Sequence, residues 1–352
     1  MRILALITAL ILCCAARGLA AQRTYYIAAD EVIWNYAPTG TNVLTGALLK
    51  PFKQQLGFSY RKVVYRGYMD ASFAKPQPRT DDERYMGLLG PLIRAEVGDS
   101  VVVVFKNNSR LPLSFHAHGL RYDKNSEGAP YFDGTATNKP GDAVAPGTVY
   151  TYHFDVPERS GPGPMDSSSV LWMYHSHTDE LSDVNTGLIG PIVITRKGAA
   201  KPDGSPSDVQ HEVFSTFAQF DEAHSRLWNA NVADPAINRR HTKPGPPAYG
   251  GVNNFFSING FVFGNMPLID VHRGERTRWY IMSTMSDFDF HVPHWHGETV
   301  TINGMRTDTA QLGPMGMIVA DMVPDNPGTW LYHCHLNIHL EAGMVARFRT
   351  LP

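Results

Sequence analysis

Four His-x-His pairs, which recur in the same order in the two halves of the chain, constrain its structure more than any other feature. The chain has 15 histidines in 352 residues, and a random sequence of that composition would contain about 0.6 such pairs. Side chains alternate along a strand, so each pair places two imidazoles on one strand face. Four pairs in a repeat indicate metal ligands rather than isolated core or surface histidines. They are His116, His118, His175, His177, His294, His296, His333 and His335.

The sequence around these pairs repeats as well. Gly90-Pro91-Leu92-Ile93 precedes a β-rich run and HAHG in the first half, and Met266-Pro267-Leu268-Ile269 precedes a β-rich run and HWHG in the second. Each half then has a second His-x-His and a final apolar run. We therefore predict two tandem copies of one β-domain, residues 22–197 and 209–352. The segment 198–208 is rich in Gly, Pro and Ser and is predicted to be the linker.

The fold class is predicted to be all-β. Short β-branched and aromatic runs are bounded by Gly, Pro, Asn and Asp, and long helical periods are missing, which is typical of a β-sandwich or barrel. The 31 glycines and 25 prolines favour many turns. The clearest predicted strands are 100–106, 149–156, 191–196, 277–283 and 344–350.

The first residues are typical of an export signal. A positive start, an apolar run over 3–14 and small residues at 18–21 predict a signal peptide at 1–21. Arg17 interrupts the run before it is long enough to span a membrane. We therefore expect a secreted or periplasmic protein. The net charge of −2 predicts no nucleic-acid partner and no binding to an anionic membrane surface.

One cysteine, Cys334, lies outside the predicted signal, which excludes a disulfide within one mature chain. A thiolate with two imidazoles and a weak thioether is the blue-copper arrangement, and His291, Cys334, His339 and Met344 supply those groups. Zinc is the alternative, but structural zinc sites prefer several cysteines. Copper is therefore the predicted metal.

The first domain lacks this mononuclear site. Ser176 stands where Cys334 would be, Leu113 stands where His291 would be, and Leu188 aligns with Met344. The sequence therefore predicts one blue site and two half-sites of four imidazoles each.

The motifs HAHG, HSH, HVPHWHG and HCHLNIHLEAGM resemble, in order, the four copper segments of multicopper oxidases of the two-domain type. Residues 23–36, 87–99 and 174–191 further resemble the first domains of ceruloplasmin-like proteins. The resemblance implies tandem Greek-key cupredoxin domains and four coppers per chain. It assigns type 1 copper to His291, Cys334, His339 and Met344, and type 2 copper to His116 and His294. It assigns the type 3 pair to His118, His175, His177, His296, His333 and His335.

The resemblance implies oxidation of a reducing donor at the type 1 site, coupled to reduction of O2 to water at a trinuclear cluster. Asp287, Asp289 and Glu341 lie near the blue-site histidines in sequence and are the donor-side candidates, with Glu298 slightly further away. Carboxylates suit hard cations such as Fe(II) and can accept a phenol proton; a merely solvated acidic loop is the alternative. We expect laccase-like oxidation of phenols or similar organics first and metal-ion oxidation, of Fe(II) or Cu(I), as the close alternative.

Two other classes stay open. A copper nitrite reductase also pairs two cupredoxin domains but does not need eight cluster imidazoles, and a copper carrier would not consume O2.

Each domain offers only four of the eight cluster imidazoles, so the two half-sites must face each other across a domain interface. Tandem copies favour head-to-tail contacts that close into a ring. In the two-domain oxidases that the chain resembles, the ring is a trimer. We therefore predict a homotrimer.

Overall fold

The computed structural model describes residues 20–134, 139–243, 251–284 and 290–352. The predicted signal peptide falls almost entirely outside these ranges. In the first half, the strands are β1 (Gln22–Asn35), β2 (Ser59–Tyr68), β3 (Ile93–Glu96), β4 (Ser100–Asn107), β5 (His116–Ala117), β6 (Val149–Asp155), β7 (Ser169–His175) and β8 (Ile189–Thr195), with helix α1 (Glu180–Thr186).

In the second half, the strands are β9 (His211–Asp221), β10 (Asn254–Ile258), β11 (Ile269–His272), β12 (Thr277–Thr284), β13 (Pro293–Trp295), β14 (Val300–Ile302), β15 (Met305–Thr307), β16 (Met317–Met322), β17 (Gly328–Cys334) and β18 (Val345–Leu351), with helices α2 (Trp228–Ala233) and α3 (Asn337–Glu341). Short 3-10 helices lie at Asp81–Met86, Lys124–Ser126, Pro140–Asp142, Glu158–Ser160 and Glu222–His224.

Both halves form the same pair of sheets. The first has sheets β2-β1-β4-β6 and β3-β8-β7-β5, and the second has β10-β9-β12-β16, extended by β14-β15, and β11-β18-β17-β13. The sense of pairing also repeats, since β1 is parallel to β4 as β9 is to β12, and β3 is parallel to β8 as β11 is to β18. The all-β fold is confirmed, and the five predicted strands agree with β4, β6, β8, β12 and β18 to within two residues at either end.

Strand β8 shows how the two halves pack together. All seven of its residues are buried, because its two faces meet different cores. Ile192 and Ile194 belong to the first domain's core, whereas Ile189 and Val193 pack in a cluster with Phe214 and other second-half residues. This period-two division follows from strand geometry. The second face of the sheet is thereby an interdomain interface.

Charged and polar contacts also cross this interface. Arg94 Nη2 lies 2.6 Å from Glu212 Oε2, and Ser169 Oγ lies 2.6 Å from the hydroxyl of Tyr280. No helix in the described part of the chain is long and apolar enough to cross a membrane.

Candidate metal centres

The His-x-His pairs of each half come together at the ends of neighbouring strands. β5 pairs with β7 so that His116 is opposite His175, and β13 pairs with β17 so that His294 is opposite His333. Each strand end carries two imidazoles on one face, as the alternation predicts. The first-domain half-site is defined as His116, His118, His175 and His177, and the second-domain half-site as His294, His296, His333 and His335.

The two half-sites have nearly the same geometry. The Nε2 atoms of His118 and His175 lie 2.9 Å apart, and the Nε2 atoms of His296 and His333 also lie 2.9 Å apart. Each half-site contains a group of three histidines whose ligand atoms all lie within 4.8 Å of one another. The repeat seen in the sequence is therefore also a repeat of side-chain geometry.

Backbone carbonyls orient the imidazoles in both half-sites. Nδ1 of His116 lies 2.6 Å from the carbonyl oxygen of Glu127, and Nδ1 of His294 lies 2.9 Å from that of Asp308. His333 Nδ1 makes the same contact with the Cys334 carbonyl at 2.8 Å. A proton held on Nδ1 by a carbonyl leaves the Nε2 lone pair for a metal.

Burial lowers the pKa of five of these imidazoles and so favours their neutral form. Desolvation lowers the pKa of His175 to about 3, with a further contribution from His118, and lowers the pKa of His118 and His333 to about 4. It also lowers the pKa of His116 and His296. Neutral imidazole is the ligand form, so these five residues are suited to metal binding at neutral pH.

The third centre, called the cysteine site, consists of His291, Cys334 and His339, whose ligand atoms lie within 4.8 Å of one another. Cys334 Sγ lies 3.5 Å from His339 Nδ1 and accepts the N–H of Val292 at 3.3 Å. All three side chains are buried. Met344 is buried in the same core cluster as Cys334, and its carbonyl accepts the Cys334 N–H at 3.1 Å.

Copper fits this donor set. A buried thiol between two imidazoles, with Met344 in the same core cluster, offers soft donors in the blue-copper combination. The closed tetrahedron of cysteines that structural zinc favours is missing from the described residues, where Cys334 is the only thiol.

The two half-sites do not meet within the chain. All eight histidines are described, yet every ring contact between them joins members of the same half-site. His335 is exposed, and His118, His177 and His296 are partly exposed. Both half-sites are thus open towards the surface.

The structure describes two of the four donor-side candidates. Glu341 is exposed at the end of α3, two residues after His339. Asp287 and Asp289 lie outside the described residues. Glu298 is buried and accepts hydrogen bonds from the N–H groups of 325 and 326 and from Thr350, so its contacts are structural.

Two residues near the ligands escaped the sequence analysis. Glu180 lies with Oε2 3.1 Å from His177 Nε2 and with Oε1 3.8 Å from His175 Nε2. Phe256 stacks on His339 with ring centroids 4.5 Å apart. Glu180 follows His177 by three residues, and this spacing could have been noticed in the sequence. Phe256 lies on a strand distant in sequence from His339, so no sequence pattern indicates their contact.

Comparisons with known proteins agree with this geometry. Two family models described as multicopper oxidase match residues 86–199 and 238–352. The chain is 38% identical over 346 residues to hephaestin of Mus musculus, 36% identical over 340 residues to ferroxidase HEPHL1 of Homo sapiens and 36% identical over 337 residues to ceruloplasmin of Rattus norvegicus. These matches cover 93–94% of the chain but only 29–32% of each relative, so the chain spans about a third of their length.

Solved structures share the fold. A structure described as a multicopper oxidase superimposes with a TM-score of 0.61 at 18% identity, covering 94% of this chain and 89% of the other. A multicopper oxidase named mgLAC gives a TM-score of 0.61 at 20% identity, covering 94% of this chain and 88% of the other.

Proposed function

The chain belongs to the multicopper oxidase family, and from that premise we propose that it oxidises a small reduced donor, with a metal ion as the first candidate, and reduces O2 to water. The proposed setting is outside the cytoplasm, after export by the predicted signal at 1–21.

The observation that carries the proposal is the segment His333-Cys334-His335, which belongs to two centres at once. Cys334 lies in the cysteine site, and its two neighbours lie in the second-domain half-site. The His333 imidazole additionally donates to the Cys334 carbonyl. A connection through consecutive residues suits electron transfer between two centres, because it is covalent and independent of loop motion.

The donor groups present support the four coppers that the family motif implies. We propose type 1 copper at His291, Cys334, His339 and Met344, type 2 copper at His116 and His294, and the type 3 pair at His118, His175, His177, His296, His333 and His335. Bound copper would supply one-electron redox chemistry at the cysteine site and O2 reduction at the cluster.

The chain itself contributes orientation and exclusion of water. The carbonyls of Glu127, Asp308 and Cys334 hold imidazole protons on Nδ1. The cysteine site is closed by its own burial and by the ring of Phe256 against His339. The carbonyl contacts fix the tautomer and the orientation of the imidazole rings.

Metal-ion oxidation is preferred over the phenolic donor that the sequence analysis placed first. One relative, 36% identical to the chain, is named a ferroxidase. Hephaestin and ceruloplasmin have similar identities of 38% and 36%. The carboxylate of Glu341 is exposed, two residues after His339 at the end of α3, and carboxylates bind hard cations. Laccase-like oxidation becomes the alternative.

A homotrimer is the proposed assembly. The half-sites are open to the surface and contact no histidine of the other half-site within the described chain. We propose that a first-domain half-site meets a second-domain half-site of another chain.

The donor is tested by O2 uptake with Fe(II) and with a phenol as alternative donors. We expect a higher kcat/KM for Fe(II). A preference for the phenol would support the laccase-like alternative, and no uptake with either donor would favour a copper carrier.

The assembly is tested by complementation. Co-expression of a His116→Ala, His118→Ala chain with a His294→Ala, His296→Ala chain should restore part of the activity that each variant lacks alone. A fully active monomer in light scattering would contradict the trimer.

A further inference from the structure

The first domain keeps a backbone hydrogen bond of the cysteine site, although other residues replace the cysteine and the histidines. In the second domain, the N–H of Val292 donates to Cys334 Sγ at 3.3 Å. In the first domain, the N–H of Ser114 donates to Ser176 Oγ at 3.1 Å. Both acceptors lie between the two histidines of a His-x-His pair. The hydroxyl of Ser176 therefore occupies the position that the thiol has in the other domain.

A buried carboxylate takes the place of one imidazole. Asp183 lies four residues before Gly187, as His339 lies four residues before Gly343. Asp183 and His339 are both 0% exposed. Ser176 Oγ donates to Asp183 Oδ2 at 2.6 Å. The first-domain position equivalent to the cysteine site thus contains a hydroxyl–carboxylate pair.

The charge of this carboxylate is balanced from the other domain. Arg226, which follows β9, places Nη1 2.9 Å from Asp183 Oδ1 and donates to the carbonyl of Pro112 at 2.9 Å. The N–H of Arg226 donates to Thr186 Oγ1 at 3.0 Å. Arg226 therefore links the loop before β5 to helix α1. These two segments flank the first-domain position that is equivalent to the cysteine site.

We propose that Asp183 and Arg226 form a positioning clamp for the first-domain half-site. Ser176 separates the ligands His175 and His177, so its hydrogen bond to Asp183 fixes the backbone between the two imidazoles. Because Arg226 comes from the second domain, the placement of the first-domain ligands depends on how the domains dock. The inference rests on the proposed function, in which these imidazoles bind cluster copper.

Loss of a positioning clamp should affect metal binding at one centre, whereas loss of a purely stabilising ion pair should affect the whole fold. The cysteine site lies in the second domain, whereas the hydrogen bonds of the Arg226 side chain go to Asp183 and Pro112 of the first domain. Loss of the clamp should therefore weaken copper binding at the cluster and leave the blue site intact. Loss of general stability would reduce both centres together.

The test uses the copper-loaded full chain with Arg226→Met, which keeps much of the side chain's apolar stem and removes its charge. A chelator titration should show cluster copper held about 10- to 100-fold more weakly, as for other residues that orient metal ligands. The near-ultraviolet band of the type 3 pair should decline with it, and the blue absorption per chain should equal that of the unmodified protein.

Three further variants make the test decisive. Ser176→Ala removes only the hydroxyl link and should weaken cluster copper in the same direction. Asp183→Asn combined with Arg226→Met leaves no unpaired charge and should restore part of the binding. Arg349→Met is the matched control, because Arg349 pairs with Asp270 at 2.8 Å on the surface, and it should change neither centre.

Parallel loss of the blue and near-ultraviolet bands would show a stability effect and overturn the clamp. Unchanged cluster copper in both Arg226→Met and Ser176→Ala would overturn it as well. If the unmodified protein shows the blue band but binds no cluster copper, the proposed function fails, and the inference fails with it.

Discussion

Gly297 directly follows the second-domain pair His294 and His296. Any side chain at this position is predicted to destabilise the fold. The φ of Gly297 is +69°, and an added Cβ would lie 2.6 Å from Cδ2 of Trp330. The indole cannot easily move away, because its Nε1 donates to the carbonyl of Asn326 at 2.9 Å. The left-handed backbone costs Ala about 1–2 kcal/mol, and overpacking costs about 1–3 kcal/mol. Gly297→Ala should therefore lower the free energy of unfolding by about 2–5 kcal/mol.

Gly274→Ala is the matched control for this prediction. Gly274 has a φ of +79°, but nothing lies within 4 Å of its added Cβ, so only the backbone cost of about 1–2 kcal/mol applies. Urea unfolding of both metal-free variants, followed by circular dichroism, separates the two contributions. Equal losses for the two variants would refute the reasoning that the Trp330 contact sets the need for glycine at 297.

The remaining predictions concern the blue site, the interdomain core and the donor. Cys334→Ser should abolish the blue colour and leave the eight cluster histidines in place; a variant that stays blue would contradict the type 1 assignment. Lys62→Met should lower the free energy of unfolding by about 3–5 kcal/mol, because Lys62 and Glu222 form a fully buried ion pair. The double variant with Glu222→Leu should recover most of that loss in the same urea assay. Asp287→Asn with Asp289→Asn should raise KM for Fe(II) more than for a phenol, and equal changes would indicate a solvated loop.

The fold class and the grouping of the candidate ligands could be predicted from the sequence because both depend on local rules. Alternation along a strand already places the two histidines of each pair on one face, and the repeat of turns and apolar runs indicates one β-domain used twice. The structure then shows the expected groups, with Cys334 next to His291 and His339.

Contacts between distant segments were beyond that reasoning. Ser176 could be recognised as the replacement for Cys334, but nothing in the sequence links it to Arg226, which is 50 residues away and belongs to another domain. The ring of Phe256 against His339 also depends on how β10 packs. Such contacts follow from the tertiary arrangement and have no periodic signal.

The central claim is that four coppers couple the oxidation of a one-electron donor to complete reduction of O2, and the stoichiometry of the reaction tests it most directly. Simultaneous measurement of Fe(II) loss and O2 uptake should give about four Fe(II) per O2, because O2 takes up four electrons on reduction to water. The protein should contain about four coppers per chain, and no peroxide should accumulate. About two Fe(II) per O2 with release of peroxide, or no uptake above the uncatalysed rate, would contradict the claim.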